Sequence, residues 1–489
     1  MNDRTPQDPP PLGPGTADAY DVVVIGAGPA GEVLADRAVK AGLTAAVVEA
    51  ELVGGECSYW ACIPSKALLR PGAALDAARS VPGAREAVSG PPDPAAVLAR
   101  RDAFVSGWKD DGQAAWLDGA GIDLVRGRGR LLGERRVEVR DPAGGRRILT
   151  ARRAVVLATG SAAALPPVEG LAGSGAWTSR EATAAAAVPE RLTVIGGGVV
   201  ACELATAWSS LGSRVTMLVR GSALLAGWEP YVGEEVADGL RELGVTVRFG
   251  VRAVRTERAD GGITTELDDG STVTGDELLV AVGRRPRTDD LGLEHVGLEP
   301  GSWLEVDDSC QVAGVAGGWL YAVGDVNGRA PLTHMAKYQA RACAAAIARR
   351  AAAGEAPLPA GRRPWSAASD RDAVPQVVFT RPEAASVGLT ELRARRAGLT
   401  VRTAEYRIGD VAGAALQADG YRGRAKLVVD EDRGVVVGCT LTGPDAAELI
   451  HAATVAVVGE VPLERLWHAV PSFPTVSEVW LRLLEAYGL

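Results

Sequence analysis

Four apolar residues, Val22 to Ile25, run without a polar break into a turn of small residues, and the same event recurs at Leu192 to Ile195. Such a run bounded by turn residues suits a strand buried on both faces of a parallel sheet. In the first case the pattern then changes period. Gly26-x-Gly28-x-x-Gly31 opens an Ala-rich helix, and a second apolar strand ends at Glu49. In the second, Gly196-x-Gly198-x-x-Ala201 opens a helix and the following strand ends Leu218-Val219-Arg220. Two more apolar runs end in small-residue turns, VVLATGS (Val155 to Ser161) and WLYAVGDVNG (Trp319 to Gly328).

Each glycine pattern has a mechanical reading. The first two glycines permit a tight turn and close approach of a pyrophosphate to the helix N-terminus, and the third position packs helix on strand. An acid at the end of the second strand, here Glu49, can hold a ribose hydroxyl. The second unit ends in Arg220 instead, which removes the partner of a free 2′-hydroxyl and offers one to a 2′-phosphate, favouring NADPH over NADH. Two dinucleotide units in one chain imply a bound flavin fed by a nicotinamide.

Composition narrows this picture. At 489 residues the chain is long enough for several domains, and 47% hydrophobic content with abundant Gly and Ala suits an α/β enzyme. A net charge of −9 provides no footprint for nucleic acid. Only five of the 52 basic residues are lysines, as a GC-biased genome would give. The opening MNDRTPQDPPPLGPGTADAY is Pro-rich and polar with no hydrophobic h-region, so residues 1–19 are expected to be a disordered lead-in. No apolar run reaches the ~18 residues of a membrane span. The expectation is a cytoplasmic protein without membrane partners, in which cysteines carry redox or metal chemistry rather than a disulfide framework.

Two of the six cysteines, Cys57 and Cys62, lie in GGECSYWACIPSK, just after the first unit. Their spacing fits zinc poorly, because no second pair follows and the four histidines are scattered. No metal is expected. A disulfide meets a geometric obstacle: five residues of regular helix rise about 7.5 Å, beyond the ~7 Å limit for bridged Cα atoms. The segment must therefore turn or break, as Gly54-Gly55 and Pro64 allow. Lys66 lies four residues beyond Cys62, on the same helical face, where its charge would favour a thiolate. Two inert buried thiols are the remaining reading. Cys202, Cys310, Cys343 and Cys439 sit in apolar or small-residue contexts and are read as core.

With these motifs, with VGRRPRT (Val282 to Thr288), AVGDVNGRAPLTHMA and VPQVVFTRPEAASVGLTE (Val374 to Glu391), nearly the whole chain after residue 20 resembles the class I pyridine nucleotide-disulfide oxidoreductases, the family of dihydrolipoamide dehydrogenase, glutathione reductase and mercuric reductase. The resemblance implies an α/β fold with two Rossmann-like dinucleotide-binding domains, for FAD and NAD(P), and a C-terminal α+β dimerisation domain. The FAD domain would be split between residues 20–165 and 288–365, the NAD(P) domain would span 166–287, and the dimerisation domain 366–489 of a homodimer. Cys62 would sit against the flavin and Cys57 would exchange with substrate, with Lys66 paired to Glu203. Glu49 and Asp325 would bind FAD, together with Gly26, Gly28, Gly31, Gly55, Lys66, Gly127, Thr159, Gly160, Ser161 and Thr333. Gly196, Gly198, Ala201, Arg220 and Gly283 would serve the nicotinamide nucleotide.

The chain departs from the family at its end. The family's disulfide reductases carry a His-Pro-Thr-x-Ser-Glu type segment whose His handles the proton of the interchange thiol, across the dimer. Here the run is HAVPSFPTVSEVW, which puts Phe473 at the His position but keeps Glu478, a catalytic residue that the resemblance implies would act on the other chain's Cys57. His468, five residues earlier, is a candidate substitute. The C-terminal LLEAYGL has no cysteine, unlike mercuric reductases and large thioredoxin reductases, and no N-terminal Cys-x-x-Cys module precedes the first unit. Three functions follow. The intact cysteines favour a reductase or oxidase of a small disulfide or dithiol. Phe473 favours an NAD(P)H:acceptor reductase acting on quinone, metal or a second nicotinamide. The third is a non-catalytic flavoprotein redox sensor. Ser58, Tyr59 and Trp60 are expected to line the disulfide side of the pocket and narrow it.

Overall fold

The computed structural model describes residues 18–353 and 358–489. Strand β1 (Asp18–Ile25), helix α1 (Pro29–Lys40) and strand β2 (Ala45–Glu49) make the first nucleotide unit, with β1 and β2 parallel. A five-residue helix, α2 (Gly55–Tyr59), and an 18-residue one, α3 (Cys62–Arg79), follow. Strands β3 (Asp123–Arg126), β4 (Arg128–Gly133), β5 (Arg136–Arg140) and β6 (Arg146–Leu157) complete a sheet ordered β3-β2-β1-β6-β5-β4. The 12-residue β6 pairs antiparallel with β5 over Arg146–Thr150 and parallel with β1 from Leu149 to Leu157. Val22, Val23 and Val24 have no exposed surface, which accounts for the unbroken apolar run.

The expected lead-in is two residues too long. Asp18 and Ala19 already pair with Leu149 and Thr150 of β6, and Arg147 holds the Asp18 carboxylate. This start of β1 alternates polar and small residues, so hydrophobicity alone does not mark it. The remainder of the expected lead-in, residues 1–17, lies outside the described residues.

The chain leaves the first sheet through Ser161–Ala163 and returns through Arg284–Pro286, and these two strands pair antiparallel. Between them lies a second parallel sheet in the order Thr246–Phe249, Arg214–Val219, Arg191–Ile195, Glu277–Val280, with the second fingerprint helix, Val199–Ser210, packed on it. A three-stranded antiparallel sheet flanks it. Afterwards Leu320–Ala322 returns to pair with β6 of the first sheet. The C-terminal part is a five-stranded antiparallel sheet, ordered Gln376–Val378, Ala384–Gly388, Val435–Thr442, Arg424–Asp430, Val401–Arg407, with its own apolar core. Two Rossmann-like units plus an α+β C-terminal unit are what the observed sheets comprise. Among the described residues no helix is long and apolar enough to cross a membrane.

Candidate active site

One cavity of about 610 Å³ connects the chemistry. It runs from Gly26, Gly28 and Glu49 past Asp325 to Cys57, Cys62, Lys66 and Thr333, and the first turn of the second fingerprint helix, Val199 and Val200, opens on it too. The two nucleotide units therefore converge on the cysteine segment.

The first unit fits a dinucleotide. A Cβ at Gly26 (φ +105°) would meet Ala158 O at 2.4 Å, and one at Gly31 would meet Gly26 O at 1.9 Å, so loop, helix and strand are in close contact. A Cβ at Gly28, which caps α1, would meet nothing within 4 Å. The chain packs tightly behind the turn and leaves its cavity side open to a phosphate at the helix N-terminus. Glu49 Oε2 accepts from Ala27 N at 2.7 Å, which fixes the carboxylate beside the loop. Gly55 packs on the same loop, since a Cβ there would lie 2.9 Å from Gly28 Cα. Gly127, Thr159, Gly160 and Ser161 also line the cavity. Asp325 accepts from Ser161 Oγ at 2.6 Å, and Arg284 Nε donates to that hydroxyl at 2.6 Å. These groups fit FAD.

The second unit repeats the arrangement. A Cβ at Gly196 (φ +138°) would strike Ala281 O at 2.2 Å, while one at Gly198 would meet open space. Ala201 is fully buried in the helix–sheet contact. Arg220 is exposed at the strand end, without an ion-pair partner among the described residues. Gly283 (φ +147°) precedes the returning strand and accepts from Ala164 N at 3.0 Å.

The cysteine segment bends as its spacing requires. Cys57 lies in α2 and Cys62 is the first residue of α3, with a break at Trp60 (φ −139°, ψ 3°) and Ala61 (φ −134°, ψ −97°). Both are free thiols hydrogen-bonded to each other. Cys62 Sγ also lies 3.2 Å from the Thr333 hydroxyl. The bond from Cys57, with help from Thr333 and the Lys66 ammonium, pulls the Cys62 thiol down to about 6 against burial and the Glu203 charge. Its bond to Cys62, then burial, pushes the Cys57 thiol well up. Thus the pair shares one proton at neutral pH, and Cys57 holds it more than Cys62 does. Lys66 Nζ is 2.6 Å from Glu203 Oε2.

Some expected residues fall elsewhere. Glu478 is buried in the C-terminal unit with Oε2 unpartnered, and Phe473 projects from that unit with 76% of its surface exposed. Neither lines the cavity of its own chain, as fits a segment expected to reach a partner's site, and neither does the exposed His468. Ser58, Tyr59 and Trp60 do not line it either. The helix turns Tyr59 into the core, 1% exposed, and Trp60 packs its ring against Arg180, 3.8 Å from the guanidinium carbon. Cys202, Cys310, Cys343 and Cys439 are all buried, as expected.

The sequence reading missed a set of charges on the cavity wall. Glu56 Oε1 lies 2.9 Å from Arg180 Nε and 2.7 Å from Arg287 Nη2, and Arg180 also grips Glu51 with both terminal nitrogens, at 3.1 and 2.6 Å. These partners come from segments up to 231 residues apart, so no local spacing announces them. It also missed Glu32 in the first turn of α1, whose carboxyl burial pushes up to about 7 despite the opposing Lys337 charge.

Comparison with known proteins agrees with this layout. The chain matches the pyridine nucleotide-disulphide oxidoreductase family over residues 20–340 and that family's dimerisation domain over residues 374–483. It is similar to the dihydrolipoyl dehydrogenase of Haloferax volcanii, 34% identical over 482 residues and 96% of each chain. It is also similar to the mercuric reductase of Acidithiobacillus ferrooxidans, 33% identical over 463 residues, or 94% of this chain and 80% of that one. Among solved structures, LpdA of Mycobacterium tuberculosis superposes with a TM-score of 0.81 at 26% identity, over 97% of this chain and 100% of that one. The Cu(II) complex of the HOCl-induced flavoprotein disulfide reductase RclA of Escherichia coli gives 0.81 at 25%, over 96% and 99%.

Proposed function

Because the chain belongs to the pyridine nucleotide-disulphide oxidoreductase family, we propose that it is an FAD-dependent NAD(P)H oxidoreductase of dihydrolipoamide dehydrogenase type. It exchanges electrons between Cys57–Cys62 and a small disulfide or dithiol, works in the cytoplasm and acts as a homodimer through its C-terminal unit. NADPH is the preferred nucleotide, on the strength of Arg220. The observation that carries the reading is the bend at Trp60 and Ala61 that brings Cys57 and Cys62 together on the wall of the cavity, with Cys62 Sγ 3.2 Å from the Thr333 hydroxyl.

FAD, when bound, supplies the two-electron relay between nicotinamide and sulfur. Gly28 and the α1 N-terminus would take its pyrophosphate, Glu49 a ribose, and Asp325 with Ser161 a further polar part. The protein's own groups manage sulfur and proton. Cys57 must lose its proton to attack a substrate disulfide, forming a mixed disulfide and releasing one thiolate. The Cys62 thiolate then attacks the Cys57 sulfur and expels the second thiolate, which takes up a proton. The substrate is reduced by two electrons as the Cys57–Cys62 disulfide forms. Once Cys57 is in the mixed disulfide its hydrogen bond is lost, and Thr333 and Lys66 are the groups left to favour the Cys62 thiolate for the second attack. Among the described residues of one chain, no imidazole lines the cavity to remove the first proton.

That gap supports a second reading, an NAD(P)H:acceptor reductase passing electrons to a quinone-type acceptor without disulfide exchange. Replacing Cys57 with Ser separates the two. The disulfide reading requires loss of lipoamide or thiol-disulfide turnover with retention of nucleotide-dependent flavin reduction. Turnover of a disulfide that survives C57S contradicts it.

A further inference from the structure

Arg180 grips the cysteine segment at two points from outside it. Its guanidinium Nε stands 2.9 Å from Glu56 Oε1, on the residue before Cys57, as an ion pair without hydrogen-bond geometry, while its two terminal nitrogens fork onto Glu51. Its flat face lies on Trp60, two residues before Cys62, at 3.8 Å from the ring centroid. A neighbour adds a third contact, since Thr183 Oγ1 donates to the Trp60 carbonyl at 2.9 Å. All three contacts bracket the break at Trp60 and Ala61, the one place where the segment leaves helical geometry to bring the sulfurs together.

The anchor of this clamp is the second sheet. Arg180 and Thr183 belong to the helix Ser179–Ala184, whose preceding residue Thr178 caps it with Glu181. Trp177, just before, donates to Leu278 O at 2.7 Å and accepts from Val280 N at 2.8 Å, so the helix is hydrogen-bonded to the edge strand Glu277–Val280. Arg287, which shares Glu56, is fixed at the returning strand by donating from Nε to Ser161 O at 3.1 Å.

We propose that Arg180 is a positioning residue for the Cys57–Cys62 pair, holding Glu56 and Trp60 on the two sides of the bend and thereby setting the dithiol–disulfide equilibrium. This rests on the reading of that pair as redox-active. A segment held bent keeps the two sulfurs close in the dithiol state, so closing the S–S bond sacrifices little chain freedom. Released, the segment can relax toward continuous helix, in which five residues separate the Cα atoms by about 7.5 Å, more than a disulfide tolerates. The guanidinium suits the task, because only a planar cation can both fork onto carboxylates and stack on an indole.

The test equilibrates full-length wild type, Arg180→Met, Arg180→Lys and Trp60→Leu with dithiothreitol redox buffers. Oxidation at Cys57 and Cys62 is read by alkylation and mass spectrometry, with two electrons passing from the protein dithiol to oxidised dithiothreitol. Arg180→Met is expected to lower the equilibrium constant for closure on the order of tenfold, the combined worth of a cation–π contact and a half-buried ion pair, or about 30 mV for a two-electron couple. Arg180→Lys recovers part of this, and Trp60→Leu shifts the constant in the same direction by less. If Arg180→Met fails to fold, Glu56→Gln and Trp60→Leu carry the test. An unchanged equilibrium in the variants that fold, whatever their thermal stability, overturns the proposal and leaves Arg180 as a brace between sheets. A wild-type protein that closes no Cys57–Cys62 disulfide at all overturns the redox reading itself, a different and recognisable failure.

Discussion

Lys66 Nζ stands 2.6 Å from Glu203 Oε2, and the other oxygen of that carboxylate accepts the backbone N–H of Phe379 at 3.0 Å. Lys66 comes from the cysteine helix, Glu203 from the second fingerprint helix and Phe379 from the C-terminal unit. One buried carboxylate therefore ties three parts of the chain together beside Cys62. Glu203→Ala leaves the Phe379 N–H and the Lys66 ammonium without their acceptor. It is expected to cost about 2 kcal/mol of stability, measured by denaturant unfolding, whereas Glu203→Gln keeps an acceptor and costs less.

The same pair bears on acidity. Lys66 holds Cys62 down and Glu203 holds it up, so Lys66→Met is expected to raise the Cys62 pKa from about 6. Alkylation of the reduced protein followed against pH by thiolate absorbance reads this directly. Because the folded value lies below that of a free thiol, Cys62 stabilises the folded dithiol form fully above the free-thiol pKa, about 8.5. That stabilisation is lost as pH falls toward 6. Cys57, shifted upward, opposes only in more alkaline solution.

Cys57 predicts a different profile for turnover. Its thiol is pushed up and, among the described residues of one chain, no imidazole lines the cavity, so the attacking thiolate is scarce at neutral pH. Disulfide reduction is expected to climb as pH rises above neutrality, as thiolate fraction does below a pKa. A plateau near neutrality would mean that another group takes the proton.

Phe473→His supplies a base at the position the family uses, five residues before the unpartnered Glu478 carboxylate. Positioned acid–base groups contribute roughly 10²–10⁴-fold. The variant is expected to raise kcat/KM for lipoamide at pH 7 by at least the lower bound and to leave quinone reduction unchanged.

Arg220→Ala is expected to weaken NADPH by about tenfold or more, the value of a lost charge-assisted contact, with NADH nearly unaffected. Steady-state KM values for the two nucleotides check it.

How much of this was legible in the sequence depends on distance along the chain. Gly26, Gly28 and Gly31 act within one turn, so their spacing carries the whole argument, and the structure places the first and third against backbone as that spacing implies. The break between Cys57 and Cys62 followed from helix rise once the two are read as a disulfide pair, but it falls at Trp60 and Ala61 rather than at Gly54-Gly55 or Pro64, which lies inside the second helix. The start of β1 at Asp18 was hidden because its outer residues are polar, held by Arg147 and by Asp123, which accepts from Tyr20. Tyr59 and Trp60 were misplaced because a five-residue helix turns them away from the cavity, and a single residue count cannot show that. The Arg180, Glu56 and Arg287 contacts join distant segments through tertiary structure and leave no periodic trace.

The most direct test of the central claim is anaerobic reduction of the purified flavoprotein with NADPH, and separately NADH, followed by counting alkylated Cys57 and Cys62. Lipoamide, a low-molecular-weight thiol disulfide and a quinone are then added in turn. The account predicts that two thiols absent from the oxidised protein appear on reduction and that a disulfide substrate removes both. Thiols that never change, or that only the quinone reoxidises, would contradict it.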